Sequence, residues 1–185
     1  RSEVVYFVHE NFIYGAKKIH FLLKNRIFIK KIKTMQYAFE TTLNSRKILA
    51  GFLKNHTLEQ LNTVPEGYSN NLIWNIGHTI VVQQLLVYKL SGLPTLISDE
   101  MIAKYQRGTR PEGFVGQKEV DELHDLLFTT IDQTIVDFEN NLFKNYHTFT
   151  NSVGFTLRNV AEAIAFNYYH EATHMGMMMS IRKFI

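Results

Sequence analysis

Apolar residues recur at steps of three and four along four stretches of the chain, the period of helices that bury one face. The first stretch opens at Met35 and runs to Asn55, with Tyr37, Phe39, Leu43, Ile48, Leu49 and Phe52 on one side. The segment Thr57-Leu-Glu-Gln-Leu61 then predicts a short capped turn, closed by Val64-Pro-Glu-Gly67. A second helix is predicted from Ser69 to Leu90, with Ser69 or Asn70 as N-cap and Ser91-Gly92 as its stop. The third covers Gln117 to Asn145, where Val120, Leu123, Leu127, Ile131, Ile135, Phe138 and Leu142 keep the spacing between acidic residues. After a polar break at Tyr146–Gly154, the fourth is expected from Thr156 to Phe184. No strand alternation of any length stands out. The expected fold is all-α, a four-helix bundle with a long connection, residues 93–117, between its second and third helices.

Composition narrows the chemistry. A chain of 185 residues fits one domain. With no cysteine it has no disulfide framework, no Cys-ligated zinc or iron–sulfur centre and no thiol nucleophile. Any metal must be held by His, Asp or Glu.

The net charge of +3 is unevenly spread: residues 1–34 carry eight Lys/Arg against two Asp/Glu, and the remainder carries 12 against 15. The body is therefore mildly acidic, so no nucleic-acid partner is expected. The longest uncharged stretch, Gly67–Tyr88, holds Asn70, Asn71, Asn75, His78, Gln83 and Gln84, which argues against a membrane span. A cytoplasmic protein is the expectation. Residues 1–34 are basic and lack a helical or strand period, and Met35 reads as the natural start. They are expected to be an upstream extension, the alternative being a true N-terminal arm.

Of eight histidines, three interrupt apolar stripes. His170 and His174 stand four apart in Tyr168-Tyr-His-Glu-Ala-Thr-His-Met-Gly176, on a stripe with Ala163, Phe166, Met177, Met178 and Ile181. At that spacing two imidazoles lie one above the other, with Cβ atoms about 6 Å apart, and can share an ion. His78 shares a face of the second helix with Trp74, Val81, Val82 and Leu85. Three inward rings without partners would each cost about 1–3 kcal/mol, a cost that a shared ion removes. The alternative is core histidines bonded to carbonyls or a tyrosine hydroxyl. His9, His20, His56 and His147 are expected in solvent, and His124 at the surface. The run Met175, Met177, Met178, Met179 reads as core filler.

The string His170-Glu171-Ala-Thr-His174 also matches the zinc metallopeptidase motif, with Glu171 as base. Such enzymes take a third ligand downstream, and Met175–Ile185 contains no His, Asp or Glu. A third ligand must come from earlier in the chain, and His78 is the best candidate.

With Asn75-Ile-Gly-His78 early in the second helix and His-Glu-Ala-Thr-His-Met-Gly in the last, the chain resembles the DinB-like (damage-inducible) superfamily from Met35 to Ile185. That family includes bacillithiol- and mycothiol-dependent transferases. The resemblance implies an up-down-down-up bundle, with His78, His170 and His174 in the three ligand positions. Met177 stands where the family often has Gln. It further implies a metal-dependent hydrolase or thiol S-transferase acting on a small molecule, with any thiol supplied by a low-molecular-weight cosubstrate. A non-catalytic metal-binding bundle serving dimerisation or stress response is the alternative.

Three imidazoles leave a divalent ion an open position, as in catalytic sites. Imidazole suits zinc, nickel, iron and copper about equally, and zinc or nickel is the expected ion, with iron or copper as alternatives. Asn75, Tyr169 and Asn167 are candidates to orient the rings. Glu171 is a candidate catalytic group that could instead pair with a neighbouring helix. Asp99, Glu100 and Glu112 could line the mouth of the site. Apolar positions left exposed on the helices point to a homodimer.

Overall fold

Helix α3, Leu72–Val87, is buried at every position except Val82 and Leu85, so it is the central element of residues 38–185. Such a helix needs little amphipathicity but must find partners for each of its polar side chains. A computed structural model describes residues 35–185. The chain divides into two units, Arg1–Tyr37 and Ala38–Ile185, and α3 belongs to the second. The expected extension at 1–34 lies outside the described residues.

Helix α1 occupies residues 35–55, and α2 is the short Leu58–Asn62. The latter is closed by a capping box in which Thr57 Oγ1 accepts from the Gln60 amide and Gln60 Oε1 accepts from the Thr57 amide. After α3 comes a 3₁₀ turn, Lys89–Ser91, ended by Gly92 at φ 72°, a left-handed conformation that suits glycine. Then follow α4 (Asp99–Tyr105), α5 (Gln117–Glu139), the strands β1 (Phe149–Thr150) and β2 (Thr156–Leu157), and α6 (Val160–Ile181). The all-α expectation therefore holds, with one small antiparallel hairpin pairing Phe149 with Leu157.

Several predicted boundaries move. The second helix is capped by Asn71, whose Oδ1 accepts from the Trp74 amide, not by Ser69 or Asn70. The third ends at Glu139 and excludes Leu142, because Asn141 turns left-handed at φ 56°. The fourth begins at Val160, since Asn151 Oδ1 accepts from the amides of Val153 and Phe155 and folds the preceding segment into a turn. The connection at 93–117 contains α4, capped by Ser98. Tyr37 and Ile48, expected on an apolar face, are exposed. Arg46 instead lies on the buried side of α1.

Leu49, Phe52, Leu72, Ile73, Ile76, Ile80, Leu123, Leu127, Met178 and Ile181 form the core. Specific pairs join the helices. Gln83 Nε2 donates to Thr134 Oγ1 (2.9 Å) and Tyr88 Oη to Asp137 Oδ2 (2.6 Å) between α3 and α5. Tyr68 and Ser180 hydroxyls lie 2.6 Å apart, tying the entry of α3 to the end of α6. Phe39 packs edge-on against Phe138, and Arg182 lies over the Phe52 ring. Among the described residues no helix is long and apolar enough to cross a membrane.

Candidate metal centre

One ring nitrogen from each of His78, His170 and His174 lies within 4.8 Å of the other two, so α3 and α6 bring the three rings together. Ring centroids stand 4.7 Å apart for His78 and His174, 4.6 Å for His170 and His174, and 5.2 Å for His78 and His170. His78 is buried, while His170 and His174 are half-buried. Trp74 stacks on His78 at 4.7 Å and 12°, and its indole N–H donates to Thr109 Oγ1 (3.1 Å).

Two of the rings have their tautomers set by partners that can only accept. His78 Nδ1 lies 2.7 Å from the Tyr105 carbonyl, so it carries the proton and leaves the Nε2 lone pair free. His174 Nδ1 lies 2.8 Å from Asn75 Oδ1. The Asn75 amide is oriented by its own donation to Asn71 O (2.7 Å) and Asn70 Oδ1 (2.9 Å), which commits its oxygen to accept. His174 therefore also presents Nε2. His170 Nδ1 is buried with no protein partner.

Burial keeps all three rings neutral. It pushes His170 down to about 3, helped by His174, His78 and the Arg46 guanidinium. It pushes His174 down to about 4, helped by His78. His78 is lowered by burial too, against the opposing pull of the Tyr105 carbonyl. Neutral imidazoles with free lone pairs are the form in which histidine ligates a cation.

The other candidates fall elsewhere. Glu171 is fully buried, and its Oε1 accepts from Arg46 Nε and from Asn167 Nδ2, both at 2.8 Å. The carboxylate thus faces α1, the pairing with a neighbouring helix that the sequence left open. Arg46 Nη2 is 2.7 Å from the same oxygen, though without hydrogen-bond geometry, and both side chains are wholly shielded from solvent. Tyr169 is exposed and packs on Phe155 and Phe166. Asp99, Glu100 and Glu112 are all exposed, the first two in α4 and the third in the connection that follows it.

His124 is exposed beside Asp125, as expected. His56, expected in solvent, is half-buried, with Nδ1 on the Phe52 carbonyl (2.9 Å) and its ring stacked on Phe52. His9 and His20 lie outside the described residues. Met178 is core and Met175 and Met177 pack against it, but Met179 is exposed.

Sequence reasoning missed Tyr105 and Arg46. A backbone carbonyl carries no residue signal, so Tyr105 had none. Arg46 had one: a lone cation at a core-facing helical step, where a charge requires a partner.

The family model of the DinB superfamily matches residues 42–178, well over half of the chain, and the chain belongs to that family. No curated protein matches it.

Proposed function

We propose that the chain binds one divalent metal ion through His78, His170 and His174 and uses it in hydrolysis or thiol transfer on a small molecule. The convergence of three neutral imidazoles, one from α3 and two from α6, carries this reading. Two of the three have Nδ1 tied to an acceptor and so present Nε2, and membership of the DinB superfamily fits the same ligand set. Zinc or nickel is the proposed ion, and iron or copper accepts the same ligands. When bound, the ion supplies Lewis acidity to a water or thiol at its open position. Asn75 and the Tyr105 carbonyl orient rings, and Trp74 shields one face of His78 from water. Because the chain has no cysteine, a transferred thiol group comes from a second small molecule.

The enzyme reading is favoured over a non-catalytic bundle by one observation. Among the described residues no fourth His, Asp or Glu joins the three, and two of the rings are half-buried, which suits an ion with a solvent-reached position.

We infer that α1, α3, α5 and α6 form an up-down-down-up bundle. In support, Arg46 meets Glu171 and Phe52 meets Arg182 in parallel order, as do Gln83 with Thr134 and Tyr88 with Asp137. Asn75 with His174 and Tyr68 with Ser180 run in opposed order. A cytoplasmic homodimer is the proposed assembly, on the exposed Ile48, Val136 and Met179.

Elemental analysis of protein purified without added nickel tests the reading. About one ion per chain is expected, lost in His174→Ala. Metal-free protein that takes up none of zinc, nickel, iron or copper overturns it. Thiol-conjugation and ester-hydrolysis assays with and without the ion then separate the two activities, and a loaded protein silent in both returns the non-catalytic alternative.

A further inference from the structure

Five buried side-chain polar atoms among the described residues have no protein hydrogen-bond partner: Ser45 Oγ, Arg46 Nη2, Asn167 Oδ1, His170 Nδ1 and Glu171 Oε2. Native interiors hold few such atoms, and those that exist are usually satisfied by bound water or mark a functional strain. These five are not scattered. Arg46 and Glu171 touch, and Asn167 holds Glu171 and stands one turn before His170 in α6. The Arg46 guanidinium is close enough to push His170 down, and Ser45 precedes Arg46 in α1.

Their chemistry is complementary. Arg46 Nη2 and a protonated His170 Nδ1 donate, Asn167 Oδ1 and Glu171 Oε2 accept, and the serine hydroxyl does either. Glu171 Oε1 is already taken by Arg46 Nε and Asn167 Nδ2, so Oε2 is the oxygen with lone pairs to give. A water makes up to four hydrogen bonds and fits between such groups. The two other rings of the trio each have an Nδ1 acceptor, His78 in the Tyr105 carbonyl and His174 in Asn75.

We propose that Glu171, held by Arg46 and Asn167, is a positioning residue for His170: through bound water its Oε2 accepts from His170 Nδ1–H and directs Nε2 of that ring to the ion. The inference rests on the three-histidine reading and adds the acceptor that the third ring lacks. Arg46 partners the Glu171 carboxylate in a fully buried position, and α1 is thereby linked to the site through α6. If the pair were only a stitch between α1 and α6, replacing it would change stability and leave the metal untouched.

Long-range ¹H–¹⁵N NMR of the zinc-loaded full chain is the first test. His170 coordinated through Nε2 with a protonated Nδ1 is expected, and coordination through Nδ1 overturns the proposal. Zinc affinity, read by competition with a chromophoric chelator, should fall about 10–100-fold in Glu171→Gln. The same fall is expected in the double variant Arg46→Met, Glu171→Leu, which removes both charges together and so stays measurable should Glu171→Gln not fold. The absorption of the cobalt-substituted protein should shift in either variant. Wild-type zinc affinity and an unchanged cobalt spectrum in the folded double variant overturn the proposal while the metal site stands. Failure of the wild type itself to bind zinc overturns the metal reading, and this inference with it.

Discussion

Asn75 Oδ1 accepts from His174 Nδ1 at 2.8 Å, so one helix sets the ring orientation of a candidate ligand on another. Asn75 is itself fixed, because its Nδ2 donates to Asn70 and to the Asn71 carbonyl. An acceptor at this position is what His174 requires. Asn75→Leu should therefore weaken zinc binding about 10–100-fold. Asn75→Asp keeps the acceptor and should retain affinity near wild type. Equal affinities for the leucine variant and the wild type would show that the contact plays no part in binding.

Gly77 is pressed against the Tyr105 ring. A Cβ at this position would lie 2.5 Å from Cδ1, 2.6 Å from Cγ and 2.8 Å from Cδ2 of that ring. The ring has little room to move, being 1% exposed and tethered by its hydroxyl to Glu119 Oε1 (2.6 Å). The carbonyl of the same residue holds His78. Gly77→Ala should cost about 1–3 kcal/mol or more in urea unfolding, as overpacking does. It should also weaken metal binding by displacing that carbonyl. A variant with unchanged stability would mean that α4 moves aside freely.

Much of this site was legible in the sequence. The three histidines stood out because each broke an apolar stripe at helical spacing, and a buried imidazole needs a partner. The long helices were legible for the same reason, but not their ends. Asn71 and Asn151 capture backbone amides with their side chains and Asn141 turns left-handed, none of which apolar period reports. The Arg46–Glu171 pair joins residues 125 apart in sequence, a distance across which only packing decides who meets whom. Glu171 was read both as a catalytic candidate, from its motif, and as a partner for a neighbouring helix, from its step of about 100° around α6 from His170; the partner itself, Arg46, was not legible.

Loss of one ligand should separate metal binding from folding. His174→Ala should abolish stoichiometric binding, and a chelator should do the same to the wild type. In both, helical circular dichroism should persist, because the core of Leu49, Ile76, Ile80, Leu127 and Met178 makes no use of the ion. An ion at 100 times its Kd stabilises by about 2.7 kcal/mol, so chelation should lower Tm by about 5–10 °C. Collapse of the helical signal on chelation would make the ion a folding element.

Acid should destabilise the metal-free protein through the same three rings. In the unfolded chain a histidine titrates near 6.5, about the ordinary value. In the folded chain burial lowers His170 to about 3 and His174 to about 4, and lowers His78 as well. Between about pH 4 and pH 6.5 the unfolded state therefore holds protons that the folded state refuses. Stability must rise with pH across that window, stay level in this respect above it, and be lost as pH falls through it. Each ring contributes a slope of up to about 1.4 kcal/mol per pH unit, and the steps belong to the coupled trio rather than to single residues. Urea unfolding of chelator-treated protein from pH 7.5 to pH 4.5 measures the slope. His170→Ala should flatten it, since that variant has one fewer ring to keep neutral. A slope that His170→Ala leaves unaltered would place the acid sensitivity elsewhere in the molecule.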